Sequence, residues 1–232
     1  MRIEHLIFFI LAGLTWQASA RTISWFNAEG DVLVSSGGSS TLDASFTFEI
    51  GTFGTFIPTD LNLDQWAANW KVFDRAVSGD GWNGTTDYYT SSAEFLSSGL
   101  SSSGISSATF TAGETAYLWV YNALDLVPTS EWALVRDATS GSSPAWVIPT
   151  ADAGNPNSLD WDLLEANTAV FGQVNGFVGA GSFNPIGDPG GGVAWLQTAA
   201  VPEPGSALMV LIAAFSIFGR RRSWVSTEPR CL

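Results

Sequence analysis

The residue types that carry most enzyme chemistry lie only near the two ends of this chain. The chain has 232 residues with one His and one Cys, which are His5 and Cys231. Residues 22–200 contain neither type, which excludes Ser-His-Asp and Cys-His catalysis there. Zinc, copper and haem sites built on His or Cys, and a disulfide framework, are excluded for the same reason. Carboxylate, hydroxyl and aromatic side chains remain as candidates.

Carboxylates could act in two ways. A glycosidase needs only a pair of Asp or Glu side chains, but no motif singles out a pair among the 22 acidic residues. Calcium takes oxygen ligands, and two groups of acidic and amide side chains are close in sequence: Asp60, Asn62 and Asp64, and Asn155, Asn157, Asp160 and Asp162. Neither group has the glycine and the distant glutamate of an EF-hand loop. We therefore predict no catalytic residue, no cofactor and no metal site, with calcium as the one metal that the composition permits.

Aromatic side chains are the remaining candidates for ligand contact. The chain has 11 Trp, and most of them are expected in the core, because aromatic side chains dominate buried area. Trp82 is the exception, since it lies in the glycine-rich stretch GDGWNG with Tyr88 and Tyr89 soon after it. A tryptophan in such a loop is difficult to bury, so we predict that Trp82, Tyr88 and Tyr89 form a ligand-contact surface. Their flat faces would suit the stacking of sugar rings.

The charge of the chain limits its partners. The formal net charge is −13 at pH 7, and the only basic side chains between residues 22 and 200 are Lys71, Arg75 and Arg136. Binding of nucleic acid requires a basic surface that neutralises phosphates, so we predict no nucleic-acid partner. The chain is 46% hydrophobic and 13% aromatic, which is enough to form a core and excludes wholesale disorder.

The central part of the chain has the pattern of a β-rich domain. Residues 44–50 alternate, with Phe46, Phe48 and Ile50 on one face, and residues 115–121 are apolar on both faces, as in a central strand covered on each side. Further strands are predicted at residues 23–26, 32–34, 108–111, 132–136, 145–148, 169–174 and 193–196. Short connections favour antiparallel pairing. We predict an all-β fold over residues 21–200, an antiparallel β-sandwich or jelly-roll-like domain.

One helix is expected to interrupt the strands. Leu63, Trp66 and Phe73 recur at helical spacing, and Asn62 is a suitable N-cap, so the pattern predicts a short helix over about residues 62–75 that covers one sheet. Residues 159–165 fit a helix and a strand equally well. Residues 97–107 and 185–192 are rich in Ser, Gly and Pro and are predicted loops.

The N-terminus has the pattern of a secretory signal peptide. Residues 6–14 are apolar, and Ala18 and Ala20 form the small-residue pattern that signal peptidase accepts. Residues 1–20 are therefore predicted to be a signal peptide, and Arg21 the first residue of the mature protein.

The C-terminus combines three features in a fixed order. A proline-glutamate-proline motif precedes an apolar run at residues 207–219 and then an arginine cluster. The residues of the motif and the cluster are Pro202, Glu203, Pro204, Arg220, Arg221 and Arg222. As a transmembrane helix the run spans about 20 Å, short of a ~30 Å hydrocarbon core, and the arginines would stay on the cytoplasmic side.

This order resembles the PEP-CTERM sorting domain of Gram-negative bacteria, over about residues 201–222. The resemblance implies export, a transient inner-membrane intermediate, processing by an exosortase and delivery to the cell surface or the extracellular space. It also implies a host that secretes exopolysaccharide. The chain departs from the family by continuing through residues 223–232, which are predicted to be a cytoplasmic tail. Residues 21–200 show no family resemblance from which a functional residue could be carried over.

Two classes of function follow from these features. The first is an exported, non-catalytic protein of the cell surface or extracellular matrix, with an exosortase, the membrane and exopolysaccharide as partners. The alternative is a secreted carbohydrate-active enzyme that uses an Asp/Glu pair. Retention of a polysaccharide without turnover would support the first class, and release of oligosaccharide would support the second.

Overall fold

The computed structural model describes residues 20–139, 145–151 and 158–202. These residues form fourteen β-strands and one short α-helix, α1 (Trp66–Asn69), which follows directly on a 3-10 helix at Leu63–Gln65. A second 3-10 helix is Leu163–Glu165. The strands are β1 (Ala20–Phe26), β2 (Val32–Val34), β3 (Thr47–Thr52), β4 (Lys71–Ser78), β5 (Gly81–Asn83), β6 (Tyr88–Leu96), β7 (Ala116–Tyr121), β8 (Glu131–Arg136), β9 (Leu159–Asp162), β10 (Thr168–Phe171), β11 (Gln173–Val174), β12 (Phe177–Val178), β13 (Trp195–Gln197) and β14 (Ala199–Ala200).

The strands form two mixed sheets. The larger sheet has the order β10-β8-β7-β3-β4-β5-β6-β1-β9, with β14 paired to β8, and the smaller has the order β12-β11-β13-β2. The predicted β-rich fold is confirmed, but the expectation of purely antiparallel pairing is wrong, because β1–β9, β4–β5 and β2–β13 are parallel. In β2–β13, Val32 lies opposite Trp195. Partners so far apart in sequence leave no local signal for their direction.

The larger sheet is covered on both faces. Leu118 and Val120 point into an inner core that also contains Leu33 and Leu196 of the smaller sheet. Trp119 of the same strand, β7, points the other way, into an outer core. The prediction of a central strand covered on both sides is thereby confirmed. The packing of side chains from both sheets in one core is consistent with a β-sandwich.

The outer core is an aromatic cluster closed by α1. The Trp66 ring is fully buried, stacks on Trp132 at a centroid distance of 5.6 Å and meets Trp119 edge-on at 5.9 Å. Offset and edge-to-face contacts of this kind are the favourable geometries for aromatic rings. The short helix therefore covers one sheet, as the sequence predicted.

The predicted extent of the helix, residues 62–75, is wrong. α1 ends at Asn69, Trp70 is extended with ψ 129°, and β4 begins at Lys71. The segment 71–78 pairs along β3, so backbone bonds to a neighbouring strand replace those of a helix. Asn62 does not cap the helix either, because its side-chain oxygen accepts from the Thr59 amide and from the Trp66 indole.

Several other predictions differ from the structure in detail. Residues 108–111 and 145–148 are not strands, although Phe110 is buried and Val147 makes an isolated bridge to Thr115. Residues 159–165 are both elements, since β9 is followed by the 3-10 helix. Residues 169–174 divide into β10 and β11 at Gly172, which has φ +75°. A Cβ there would lie 2.5 Å from the Gln197 carbonyl oxygen, so this turn requires glycine.

The targeting residues lie mostly outside the described residues. Ala20 is the first described residue, at the start of β1, and Pro202 is the last. The other predicted targeting positions are outside the described residues: Ala18, Glu203, Pro204, Arg220, Arg221, Arg222 and the apolar run 207–219. Within the described ranges, no helix has the length and apolar character needed to cross a bilayer.

Candidate functional site

An open pocket of about 610 Å³ lies at the glycine-rich stretch that the sequence singles out. It forms where the end of β4, the short strand β5 and the start of β6 meet the loop that precedes β3. Its polar side chains are those of Asp43, Ser78, Asn83, Thr85, Tyr88 and Thr90. We take this pocket as the candidate functional site.

Glycines shape the wall of the pocket. Gly81 has φ +82°, and a Cβ at this position would lie 2.7 Å from the Thr90 carbonyl oxygen and 2.9 Å from the Ala76 Cβ. Only glycine therefore allows β5 to pass so close to β4 and β6. Asn83 then holds the turn that follows, because its side-chain oxygen accepts from the Thr85 amide at 3.0 Å.

The prediction that Trp82 and Tyr89 are exposed is wrong. Trp82 is 2% exposed and Tyr89 is 1% exposed, and both belong to the inner core around Phe48. The Trp82 indole N–H donates to the Asp43 carbonyl oxygen at 3.0 Å, so its burial leaves no unpaired donor. Trp82 nevertheless contributes to the wall of the pocket and ties the loop at Asp43 to β5.

Tyr88 is the predicted contact residue that the structure leaves accessible. It is half-buried and lines the main pocket, and it also lines a neighbouring pocket of about 210 Å³ with Glu29 and Thr86. Asn27 fixes the backbone on both sides of it, since its side chain donates to the Asp87 carbonyl at 2.8 Å and accepts from the Tyr89 amide at 2.7 Å. Tyr88 is thus a lining residue that the two pockets share.

The lining suits an uncharged ligand rich in hydroxyl groups. Three hydroxyls, one amide and one phenol can each donate and accept hydrogen bonds. Among the residues that the structure describes, no basic side chain lines the pocket, and the single carboxylate in the lining is Asp43. The Ser45 hydroxyl and amide donate to Asp43 and lower its pKa, so this carboxylate is ionised and serves a local turn.

Two acidic side chains outside the pocket, Asp31 and Asp162, accept hydrogen bonds from backbone amides. Asp31 is buried, and its two oxygens accept from the Ala28 and Ala194 amides at 2.8 and 2.9 Å. Burial raises the pKa of Asp31, and the charge of Asp162 raises it further. Asp162 in turn accepts from the Leu164 amide at the start of the second 3-10 helix. Both carboxylates of this neighbouring pair therefore have structural partners.

The side chains of the two groups considered for calcium can be followed only in part among the described residues. No set of three or more His, Cys, Asp or Glu side chains in these ranges is arranged to hold a metal ion. In the first group, Asn62 is engaged by its own loop. In the second group, Asn155 and Asn157 lie outside the described residues, and Asp160 accepts from the Ser158 hydroxyl.

A buried carboxylate on the outer face of the larger sheet is fully engaged. Glu49 accepts from Arg75 Nε at 2.6 Å and from the Trp70 indole at 2.7 Å, and it also hydrogen-bonds Tyr121. Its charge is paired and each oxygen has a donor, as a buried ion requires. We interpret this cluster as a structural connection between β3, β4 and β7.

No family model, no curated protein and no solved structure matches the chain.

Sequence patterns identified the glycine-rich stretch and Tyr88 but missed the other walls of the pocket. Asp43, Ser78 and Thr90 come from three separate segments, which only the pairing of β4, β5 and β6 and the Trp82–Asp43 hydrogen bond bring together. The one local signal is the Asp-Ala-Ser sequence at residues 43–45, which is typical of a side-chain-stabilised turn.

The buried tyrosines predict a loss of stability in alkali. Burial raises the pKa of Tyr89 and of Tyr121, and neighbouring carboxylates raise both further. The folded state therefore keeps the neutral phenols, whereas the unfolded chain releases these protons above the ordinary pKa of 10.0. The two neutral phenols therefore contribute fully to the free energy of unfolding below pH 10. Above pH 10 this contribution falls by about 1.4 kcal/mol per pH unit for each tyrosine.

Urea unfolding between roughly pH 9 and pH 11 tests this expectation. The midpoint of the wild type should fall steeply with pH, and Tyr89→Phe and Tyr121→Phe should each flatten the profile, whatever they do to stability at neutral pH. Identical slopes for the wild type and both variants would contradict it.

Proposed function

We propose that the chain is an exported, non-catalytic protein of the cell surface or extracellular matrix, whose domain, built as a β-sandwich, binds a neutral polysaccharide at the pocket around Tyr88. The observation that carries this proposal is the lining of the pocket. Over the described part of the chain, hydroxyl, amide and aromatic groups surround an open space of about 610 Å³ without a basic side chain. Polar groups of this kind exchange hydrogen bonds with sugar hydroxyls, and a ring such as that of Tyr88 offers a flat apolar face.

Binding is favoured over hydrolysis by the number of carboxylates in the pocket. Glycoside hydrolysis ordinarily takes two carboxylates on either side of the scissile bond. Asp43 is the single carboxylate that the described residues place in the lining, and its oxygen Oδ1 already accepts from the Ser45 amide at 2.8 Å. In the part of the chain that the structure describes, each of the two pockets that Tyr88 lines thus offers a single carboxylate, Asp43 in the main pocket and Glu29 in the adjoining one, and neither holds a pair of acids.

The position of Tyr88 favours a polymer over a single sugar. Tyr88 lines both the main pocket and the adjoining one at Glu29 and Thr86. A linear chain could pass over Tyr88 and occupy both spaces. Exopolysaccharide of the host is the polymer that we propose.

Delivery is proposed to follow the sorting route that the terminal sequences indicate. The signal peptide would direct export, and the run at residues 207–219 would hold an inner-membrane intermediate. An exosortase would then process the chain near Pro202, Glu203 and Pro204. The order of these features in the sequence supports this route.

Affinity electrophoresis of the full-length protein in detergent tests the binding. Retardation by the host exopolysaccharide should weaken about tenfold in Tyr88→Ala, because tyrosine is enriched among the contact residues whose truncation costs more than about 1 kcal/mol. Tyr88→Phe should bind close to the wild type, since it keeps the ring. Leu164→Ala, an exposed position away from the pocket, serves as the matched control.

The same samples are assayed for released oligosaccharide. Equal retardation of Tyr88→Ala and the wild type would show that the pocket is not the binding site. Release of oligosaccharide by the wild type would contradict the non-catalytic assignment.

A further inference from the structure

Two loops carry aliphatic side chains that are exposed to solvent. Ile57 is 75% exposed and Leu61 is 90% exposed in the loop before α1, and Leu124 and Val127 are each at least 40% exposed in the loop between β7 and β8. We call these four side chains the exit surface. Exposed apolar groups of this size in neighbouring loops indicate a contact surface more strongly than single exposed residues do.

The first loop is held in a fixed shape. Asn62 accepts from the Thr59 amide at 2.8 Å and donates to the Ile57 carbonyl at 3.0 Å, which closes the loop around Pro58. Ile57 and Leu61 therefore project from a hydrogen-bonded turn, and their exposure is a property of the folded domain.

The two loops are joined through stacked tryptophans. The Trp66 indole donates to Asn62 in the first loop at 2.9 Å, and its ring stacks on Trp132. The Trp132 indole donates to the Ala123 carbonyl at the start of the second loop at 2.6 Å. Leu61 and Leu124 thus each follow or precede a residue that is hydrogen-bonded to a stacked tryptophan, Asn62 for Leu61 and Ala123 for Leu124. The two loops therefore lie at the same end of the outer core.

The chain leaves the domain at the same end. The Val201 amide donates to the Ser130 carbonyl, in the second loop, at 2.9 Å, and the Val201 side chain is buried in the outer core with Trp66 and Trp132. Pro202 is exposed, and the apolar run begins five residues later, at residue 207. Five extended residues reach at most about 18 Å, so the run begins within that distance of Pro202, at the end of the domain that carries the exit surface.

We propose that the exit surface rests on the lipid bilayer while the C-terminal run holds the protein at the membrane. This inference rests on the membrane intermediate of the proposed function. Because the chain tethers Pro202 within about 18 Å of the run, the loops have a high effective concentration at the bilayer, which favours contact by the four aliphatic side chains. Asp60 and Asp125 lie beside them, which favours a neutral lipid surface and contact at headgroup depth.

Fluorescence of the full-length protein in phosphatidylcholine vesicles tests the proposal. Cys231→Ser removes the only cysteine, and Leu61→Cys, Leu124→Cys and Leu164→Cys are then made one at a time and labelled with an environment-sensitive dye. Leu164 is the matched control, because it is 51% exposed but follows Leu163, which packs in the inner core. Vesicle flotation and quenching by spin-labelled phosphatidylcholine are measured on each sample.

The expected result is a blue shift and lipid quenching of the dye at positions 61 and 124, with neither at position 164. Flotation of all three proteins without quenching at 61 and 124 would overturn the inference and leave the membrane intermediate intact. Equal quenching at all three positions would also overturn it, since contact would not be confined to the exit surface. Failure of the protein to float would overturn the inference together with the membrane intermediate.

Discussion

Replacement of Pro202, Glu203 and Pro204 by alanine is expected to leave the full-length protein in the membrane fraction. The three residues precede the apolar run, so insertion should be unaffected. The two prolines, which favour an extended peptide suited to a protease groove, are lost. Fractionation followed by intact-mass measurement distinguishes the full-length form from the processed form. We expect nearly all of the processed form to disappear.

Neutral replacement of the arginine cluster provides the contrasting variant. With Arg220, Arg221 and Arg222 changed to glutamine, the charges that would hold the far end of the run in the cytoplasm on the proposed route are gone. Retention should weaken, and unprocessed protein should appear outside the membrane fraction. Processing and release of the triple-alanine variant at the wild-type level would show that the proline-glutamate-proline motif is incidental.

Trp66→Ala is expected to destabilise the domain by about 3–5 kcal/mol, the range typical of removing a large aromatic side chain from a core. Trp66 is fully buried and contacts Phe53, Trp119, Trp132 and Phe171, so its loss leaves a cavity that rigid rings cannot fill. For a domain of this size the melting temperature should fall by roughly 10 °C.

Leu61→Ala is the control for this substitution. Leu61 lies in the loop that leads to α1 but is 90% exposed, so its truncation should change stability by no more than about 0.5 kcal/mol. Calorimetry of the two variants beside the wild type decides the question. A loss below about 1 kcal/mol in Trp66→Ala would mean that α1 is a dispensable cover and not part of the core.

Local patterns predicted several strands of the larger sheet, but they missed β4, at the centre of its strand order, and β6. β3, β7 and β8 were predicted because their buried residues are adjacent or alternate in the sequence. β4 and β6 were not, because the helical spacing of Leu63, Trp66 and Phe73 masks the start of β4, and β6 is rich in Tyr, Thr and Ser. Pairing with β3 and with β1 decides the conformation of these two segments.

The location of the pocket was predictable from the sequence, but most of the side chains that line it were not. The glycine-rich stretch marked a turn, and Tyr88 proved accessible, whereas Trp82 was expected in solvent and lies in the core. Two distant partners account for its burial. The Phe48 ring packs against the Trp82 ring at a centroid distance of 4.6 Å, and the Asp43 carbonyl oxygen accepts a hydrogen bond from the indole N–H. Neither contact can be recognised from the residues around Trp82.

The parallel pairing of β2 with β13 affects when the domain can fold. Val32 meets Trp195, and Asp31 accepts from the Ala194 amide, so the smaller sheet joins residues from the two ends of the domain. Contacts of such high sequence separation form slowly, because the intervening chain must first be closed into a loop. On the proposed export route the sheet cannot be completed until residue 197 has crossed the membrane, ten residues before the apolar run begins. Translocation would therefore be almost finished before the last strands pair, and retention by that run would keep the slowly folding chain apart from the extracellular space until its sheets are closed.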